Sequence, residues 1–125
     1  MEKIVSHKVN GLNEVLEIEV LDEPGQGNAC HEYVIRGMQG PLDNHPIKEC
    51  RISFQNGPIN EFGYNGISNE ALLAVVEHRL LGFQAGQFAC RENAVALTKL
   101  QECMMWLQKR TMDRMKRGVE GTNQK

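Results

Sequence analysis

Apolar and polar residues alternate in the first half of the chain and follow helical spacing in the second half. Residues Val15–Val20 alternate apolar and acidic side chains, which predicts a half-buried strand. Two further strands are predicted at His31–Arg36 and Cys50–Phe54, and the Asn56-Gly57 pair predicts a reversal into a return strand at Ile59–Phe62. We therefore expect a small antiparallel sheet of about four or five strands.

The second half has no proline between residues 68 and 117, and it predicts two helices. The first begins at Ser68 or Asn69, either of which can cap it, and it ends near Gly82 and Gly86. Its mostly apolar stripe consists of Leu72, Val75, Val76, Arg79, Leu80 and Phe83.

A second, longer helix is predicted from about Cys90 to Arg117, which corresponds to roughly 40 Å at 1.5 Å per residue. Its packing seam follows alternating four- and three-residue steps through Asn93, Leu97, Leu100, Met104, Leu107, Thr111 and Arg114. The fold class is therefore α+β, with a small antiparallel N-terminal sheet followed by a C-terminal helical hairpin. We expect the β region to span residues 1–66 and the hairpin 67–122, both within one compact domain. The stretch Gly37–Lys48, which contains two prolines, is expected to be a surface loop.

Composition narrows the functional classes. A chain of 125 residues with a formal net charge of −2, 24% charged residues and 41% hydrophobic residues is typical of a globular protein, so any affinity for phosphate must be local. No apolar run is long enough to span a membrane and no secretion signal is present, so we expect a cytoplasmic protein. The four cysteines are widely spaced, which predicts reduced, buried thiols and no zinc site.

No catalytic or cofactor motif accompanies the histidines at positions 7, 31, 45 and 78, so the chain is not expected to be an enzyme or to carry a cofactor or metal. The acidic residues between positions 14 and 23 are spread along a strand and a turn and lack the compact loop of a calcium site. A solvated acidic face explains them better.

The connection between the two helices is a candidate ligand site. Phe83 and Phe88 flank a glycine-containing turn, and Arg91 and Asn93 open the following helix. An aromatic ring can stack on a base, an amide can pair with the base edge, and a guanidinium can bind a phosphate. The alternative is that the phenylalanines close the hairpin core and Arg91 is a solvated residue of the helix end. The residues alone favour that alternative.

A second candidate lies at the basic end of the long helix, residues 109–117. Arg110 and Arg114 are four residues apart and share a helix face, so a symmetric oligomer would repeat them as a ring of guanidinium groups. Basic residues also complement the dipole of a helix C-terminus, and Asp113 can pair with Lys109, so a purely structural role is favoured here too. Trp106 and the neighbouring methionines are expected to form a packing and subunit interface.

Longer stretches carry a family resemblance. The run from Phe88 to Leu100, then residues 105–111 and 117–122, resembles the helical hairpin shared by Thoeris anti-defence proteins of the first type and anti-CBASS cyclic-nucleotide sponges. Residues 52–59 and 66–73 resemble the strand hairpin and first helix of the Thoeris branch, whereas the simpler anti-CBASS sponges lack such a sheet.

The resemblance implies a phage protein that captures glycocyclic ADP-ribose made by bacterial TIR-domain proteins without cleaving it. It places the base-stacking ring on Phe83 and its polar partner on Asn93, with Phe88 and Arg91 as neighbours. It further implies dimers and hexamers, and a second site for cyclic di- or trinucleotides that includes Arg110 and Arg114. Two other hypotheses remain: a sponge mainly for CBASS cyclic oligonucleotides, and a small phage regulator that binds DNA or a host protein. The negative net charge argues against DNA.

Overall fold

The computed structural model describes residues 2–37 and 49–125. Within these ranges it contains four strands and four α-helices, which confirms the predicted α+β class. The chain divides into two compact units. The first comprises the described residues up to Asn56 together with Tyr64–Ile67, and the second comprises Gly57–Gly63 and Ser68–Lys125. That both units form one domain stays a prediction. Residues 38–48 of the predicted surface loop lie outside the described residues.

The first unit is built on an antiparallel sheet. Its described strands are β1 (Lys3–Ile4), β2 (Leu16–Val20), β3 (Glu32–Gly37) and β4 (Cys50–Ser53), and they neighbour one another in this order. A short helix, α1 (Gly11–Glu14), precedes β2, and a single 3₁₀ turn precedes β3. Three of the four predicted strands are thus confirmed, and β1 is an addition that its length of two residues hides from any periodicity argument.

The alternating pattern of β2 explains the two faces of the sheet. Ile18 pairs with Ile35 and Val20 with Tyr33, so the apolar residues share one face. The Tyr33 ring meets the ring of Phe54 edge-on, with centroids 5.6 Å apart. The acidic residues of β2 lie on the other face, where they pair with basic side chains and are not simply solvated: Glu17 lies 3.7 Å from Lys8 and 3.8 Å from Lys3, and Glu19 binds Arg36.

The return strand predicted at Ile59–Phe62 is wrong, because this segment is a one-turn helix, α2. The φ of Pro58 is −64°, which suits the start of a helix, and the Pro58 carbonyl accepts the N–H of Phe62 at 2.9 Å. The place of a strand partner is taken by Asn65, whose side-chain amide both accepts from the Asn56 N–H (2.8 Å) and donates to the Asn56 carbonyl (2.7 Å). A side chain from nine residues away therefore replaces a neighbouring backbone.

The second unit contains the predicted hairpin of α3 (Asn69–Gln84) and α4 (Arg91–Lys116). The Ser68 hydroxyl caps α3 by accepting the Ala71 N–H at 3.1 Å. The predicted seam of α4 is confirmed, since all seven of its residues are half-buried or buried while the residues between them are exposed.

The apolar stripe predicted on the first helix (Leu72, Val75, Val76, Arg79, Leu80 and Phe83), called here the α3 stripe, is not packed against the rest of the described chain. Apart from Leu80 its members are exposed in the single chain; Val75, for example, is 61% exposed and Val76 46%. The less exposed positions of α3 are Glu70, Leu73, Glu77, Leu80 and Gln84. The stripe is thus an apolar face without a partner in the described part of the chain.

Burial is sparse in the described ranges. Val20 and Val34 are the buried apolar residues there, and many large apolar side chains stay exposed. All four cysteines are free, as predicted, but the expectation that they are buried is wrong: Cys50, Cys90 and Cys103 are exposed and Cys30 is half-buried. In the same ranges, no helix combines the length and apolarity needed to cross a membrane.

Candidate functional site

The turn between α3 and α4 is held by side chains that belong to the helix ends. Cys90 is the N-cap of α4, and its Sγ accepts the N–H of Asn93 at 3.4 Å. The Cys90 N–H in turn donates to Oε1 of Gln84, the last residue of α3, at 3.1 Å. The end of one helix is therefore tied to the start of the next, which fixes the spacing between Phe83 and the first turn of α4.

Phe83 and Phe88 come together across this turn. Their ring centroids lie 6.4 Å apart at an interplanar angle of 81°, an edge-to-face arrangement. The rings are not buried in a core, since Phe83 is 36% exposed and Phe88 is 67% exposed. The core-closing interpretation thus fails for the single chain, and two aromatic surfaces remain available at the turn.

The polar members of the turn are free to bind. Arg91 is exposed and Asn93 is half-buried, and neither side chain is hydrogen-bonded or ion-paired within the described residues. The backbone N–H groups of Arg91 and Glu92, at the first two positions of α4, have no backbone acceptor within the helix. The first turn of α4, which follows the aromatic pair, therefore carries a guanidinium, an amide and the positive end of a helix dipole, with the Glu92 carboxylate as its acidic group.

One residue of this site escaped the sequence analysis. Arg79, one turn before Phe83 on α3, places its Cζ 5.4 Å from the centroid of the Phe83 ring. The signal was present in the sequence, because Arg79 is the charged member of an otherwise apolar stripe and lies four residues from an aromatic residue. We call Arg79, Phe83, Phe88, Arg91 and Asn93 the turn cluster.

The basic end of α4 is arranged in part as predicted. Lys109 donates to the Asp113 carboxylate at 2.8 Å, and this interaction holds the pKa of Asp113 below its usual range. Arg110 is exposed and has no ion-pair partner in the described part of the chain. An open depression of about 340 Å³ lies beside it, lined by Trp106, Lys109, Arg110, Asp113, Arg114, Arg117 and Lys125.

Arg114 has a role that the sequence did not suggest. It is 5% exposed, and its Nη2 donates to the carbonyls of Val119 (2.9 Å) and Thr122 (3.1 Å). Nη1 donates to the Gln124 carbonyl, and Nε lies 3.3 Å from the Glu120 carboxylate. In this conformation the guanidinium anchors the C-terminal segment.

The backbone prepares this anchor. Gly118 follows α4 with a φ of +72°, and the N–H of Val119 returns to the Arg114 carbonyl at 3.0 Å, as in a Schellman motif. The segment then meets α2, because the N–H of Asn60 donates to the Gly121 carbonyl at 3.0 Å. We call residues 118–124 the C-terminal clasp.

Next to the basic depression lies an apolar one of about 410 Å³ along the same helix. Trp106 is 68% exposed there, Met105 64% and Met112 59%. That this surface is a subunit interface stays a prediction. Neither depression includes the turn cluster, whose rings and guanidinium groups form an open surface in the single chain.

The described residues hold no group of histidine, cysteine, aspartate and glutamate side chains arranged for a metal ion. What the turn cluster offers instead is stacking surface, amide hydrogen bonds and positive charge. The class defined by this fold and site is an α+β protein with a helical hairpin whose turn exposes aromatic, amide and basic side chains.

Residues 46–112 match the family model described as "Acb2/Tad1, hairpin domain", and this range is more than half of the chain. The protein therefore belongs to the Acb2/Tad1 hairpin family, which confirms the resemblance drawn from the sequence. It is 46% identical over 101 residues to Thoeris anti-defense 1 of Bacillus phage SBSphiJ7. The aligned part covers 81% of this chain and 66% of that relative's length. The matched range contains the whole turn cluster and Arg110, whereas Arg114 lies beyond its end.

Proposed function

We propose that this protein is a phage anti-defence sponge that binds glycocyclic ADP-ribose signals made by bacterial TIR-domain proteins and withholds them from their effector. The observation that carries the proposal is the turn cluster, which lies inside the family match and exposes the Phe83 ring beside unpaired polar groups. The relative's anti-defence name agrees with it. The place of action is the cytoplasm of the infected host.

The chemistry of the turn cluster suits this ligand class. The Phe83 ring supplies a face for adenine, and stacking of a base on an aromatic side chain contributes roughly 1–3 kcal/mol. Asn93 can pair with the donor and acceptor edge of the base, and Arg91 can bind the pyrophosphate. These groups bind and orient a nucleotide, but none of them is a nucleophile or general base with a partner. That set of residues supports capture without cleavage.

Self-assembly is part of the proposal. Leu72, Val75 and Val76 of the α3 stripe, which lie outside the turn cluster, and the surface around Trp106 expose apolar side chains that an isolated chain leaves in water. Burying them between copies would enlarge a core that holds few fully buried apolar residues in the described ranges. Dimers that associate into a hexamer, as the family resemblance implies, would meet this need. Light scattering coupled to gel filtration measures the assembly directly.

A depletion experiment tests the sponge. Purified protein is incubated with glycocyclic ADP-ribose and removed by ultrafiltration, and the filtrate and the heat-denatured retentate are analysed by mass spectrometry. We expect a depleted filtrate and full recovery of the intact ligand after heating. Phe83→Ala should abolish depletion, whereas Tyr64→Ala, which removes another exposed ring (88% exposed), should not. A cleaved product, or no depletion by the native protein, would refute the proposal.

A second ligand class is favoured by the basic depression. Arg110 carries an unpaired guanidinium beside Trp106, and Arg117 and Lys125 line the same surface, so a cyclic di- or trinucleotide can be bound by its phosphates there. The role of Arg114 in this site is harder to sustain, because a ligand would have to replace its bonds to the C-terminal clasp.

The two ligand classes are separable by mutation. Arg110→Gln should weaken binding of a cyclic trinucleotide in calorimetry while leaving glycocyclic ADP-ribose depletion intact, and Phe83→Ala should do the reverse. If Arg110→Gln has no effect on either ligand, the second site is rejected. If the trinucleotide is the tighter ligand and Phe83→Ala spares it, the protein is mainly a CBASS sponge.

A further inference from the structure

Arg79 is a residue of the turn cluster to which the proposed function assigns no role. It interrupts an apolar face, and its guanidinium lies over the Phe83 ring, 5.4 Å from the centroid. Arg79 is exposed, and within the described residues it has neither an ion pair nor a hydrogen bond. A positive charge without a counter-ion is thus held against the very ring that is available for stacking.

The interaction that holds Arg79 is weak enough to be exchanged. A cation over an exposed aromatic face is a small stabilisation compared with a charge-assisted, two-pronged bond between a guanidinium and a phosphate. Arginine also has the planar fork that this bond requires, which lysine lacks. A nucleotide that brings a base to Phe83 brings its phosphates to the neighbourhood of this guanidinium at the same time.

We infer that Arg79 is a phosphate-binding residue of the turn cluster, held on the Phe83 ring until a nucleotide arrives. The base then stacks on Phe83, and the guanidinium moves to the pyrophosphate. The inference rests on the proposed function and deepens it: the site discriminates between ligands with and without a phosphate through Arg79. Arg91, on the other helix, then provides charge from the opposite side of the turn.

A purely structural role makes a different prediction. If Arg79 only packs on Phe83, as an i,i+4 pair on a helix, its removal loosens the ring for every ligand alike. Adenosine and a phosphate-bearing adenine nucleotide would then lose affinity by the same factor. A role in phosphate binding separates the two ligands, because adenosine has nothing for the guanidinium to bind.

Calorimetry on the full chain decides between them, with glycocyclic ADP-ribose and adenosine as probes. Arg79→Gln should weaken binding of glycocyclic ADP-ribose by about tenfold or more, as expected for loss of one charge-assisted hydrogen bond, and leave adenosine binding unchanged or slightly tighter. The affinity of Arg79→Lys for glycocyclic ADP-ribose should lie between those of the native protein and Arg79→Gln. Lys99→Gln, which removes one exposed charge from the middle of α4, is the matched control and should bind like the native protein.

The salt dependence of glycocyclic ADP-ribose binding gives an independent readout. Replacing Arg79 by Gln should flatten it, because one charge no longer contacts phosphate. If the native protein binds glycocyclic ADP-ribose and Arg79→Gln leaves both the affinity and its salt dependence unchanged, the inference is overturned while the sponge function stands. Equal losses for both ligands would assign Arg79 to packing. If the native protein does not bind glycocyclic ADP-ribose, the proposed function fails and this inference fails with it.

Discussion

Replacing Arg114 should open the C-terminal clasp without unfolding the hairpin. The informative change is Arg114→Met, which retains an aliphatic side chain of similar length and removes every donor. In the native protein, the hydrogen bonds from Nη2 of Arg114 to the carbonyls of Val119 and Thr122 have ordinary lengths of 2.9 and 3.1 Å. Hydrogen bonds from a charged donor contribute about 1.5–3 kcal/mol each, but carbonyls at a chain end regain water when they are released. We therefore expect a loss of about 2–3 kcal/mol, confined to the clasp.

Amide hydrogen exchange measured by NMR is the suitable assay. The reporters are the N–H groups of Thr122, bonded to the Val119 carbonyl at 3.1 Å, and of Asn60, bonded to the Gly121 carbonyl at 3.0 Å. A cost of about 2 kcal/mol corresponds to roughly 30-fold faster exchange through local opening. Amides in the middle of α4 should exchange as in the native protein.

Two further variants make the experiment decisive. Arg110→Met removes an exposed guanidinium from the same helix and should leave the Asn60 amide protected. Gly121→Ala should open the clasp independently, because a Cβ at a φ of +84° is strained and would lie 2.9 Å from Oδ1 of Asn60. Native exchange at Asn60 in Arg114→Met, or equal acceleration in Arg110→Met, would refute the anchoring role.

Three other predictions concern the first unit. Gly66→Ala should destabilise it in urea unfolding, since the new Cβ would lie 2.4 Å from the backbone carbon of Phe54; a native midpoint would show that the chain shifts freely there. Desolvation raises the pKa of Asp22, but N–H donation at the start of β3 and the charge of His31 outweigh it, so the pKa lies below its ordinary value. Stability should therefore fall as the pH drops through that lowered pKa, and Asp22→Asn should remove this dependence in pH-resolved unfolding. Desolvation and nearby carboxylates raise the pKa of Cys30, so iodoacetamide should alkylate it more slowly than the exposed Cys50, as peptide mass spectrometry can follow; equal rates would contradict this.

The sequence predicted the elements whose pattern is local. β2 alternates over its whole length, and the seam of α4 repeats over several turns, so both could be located from spacing. The conformation of Ile59–Phe62 could not be predicted from spacing. The hydrogen bonds that a return strand would make with Asn56 are made instead by the side-chain amide of Asn65. The α3 stripe was identified correctly as apolar, but spacing does not say whether a face is covered by the same chain or by another.

The candidate site was predictable to a similar degree. Phe83, Phe88, Arg91 and Asn93 lie at the hairpin turn, where the family resemblance placed the ligand, although their binding role stays a proposal. Arg114 shows the limit of a helix-face argument. It shares a face with Arg110, yet its partners lie five to ten residues further on in an irregular segment that periodicity does not describe.

The two edges of the sheet have a consequence for a protein that exposes so much apolar surface. β1 is only two residues long, and beyond β4 the N–H of Gln55 and the carbonyl of Ser53 are bonded to Ile67 while Asn65 occupies both backbone groups of Asn56. Among the described residues, neither edge offers a long row of free backbone groups as a template for an incoming strand, which is how proteins commonly avoid fibrous aggregation. Growth by strand addition is thereby discouraged, even though the helices expose much apolar surface.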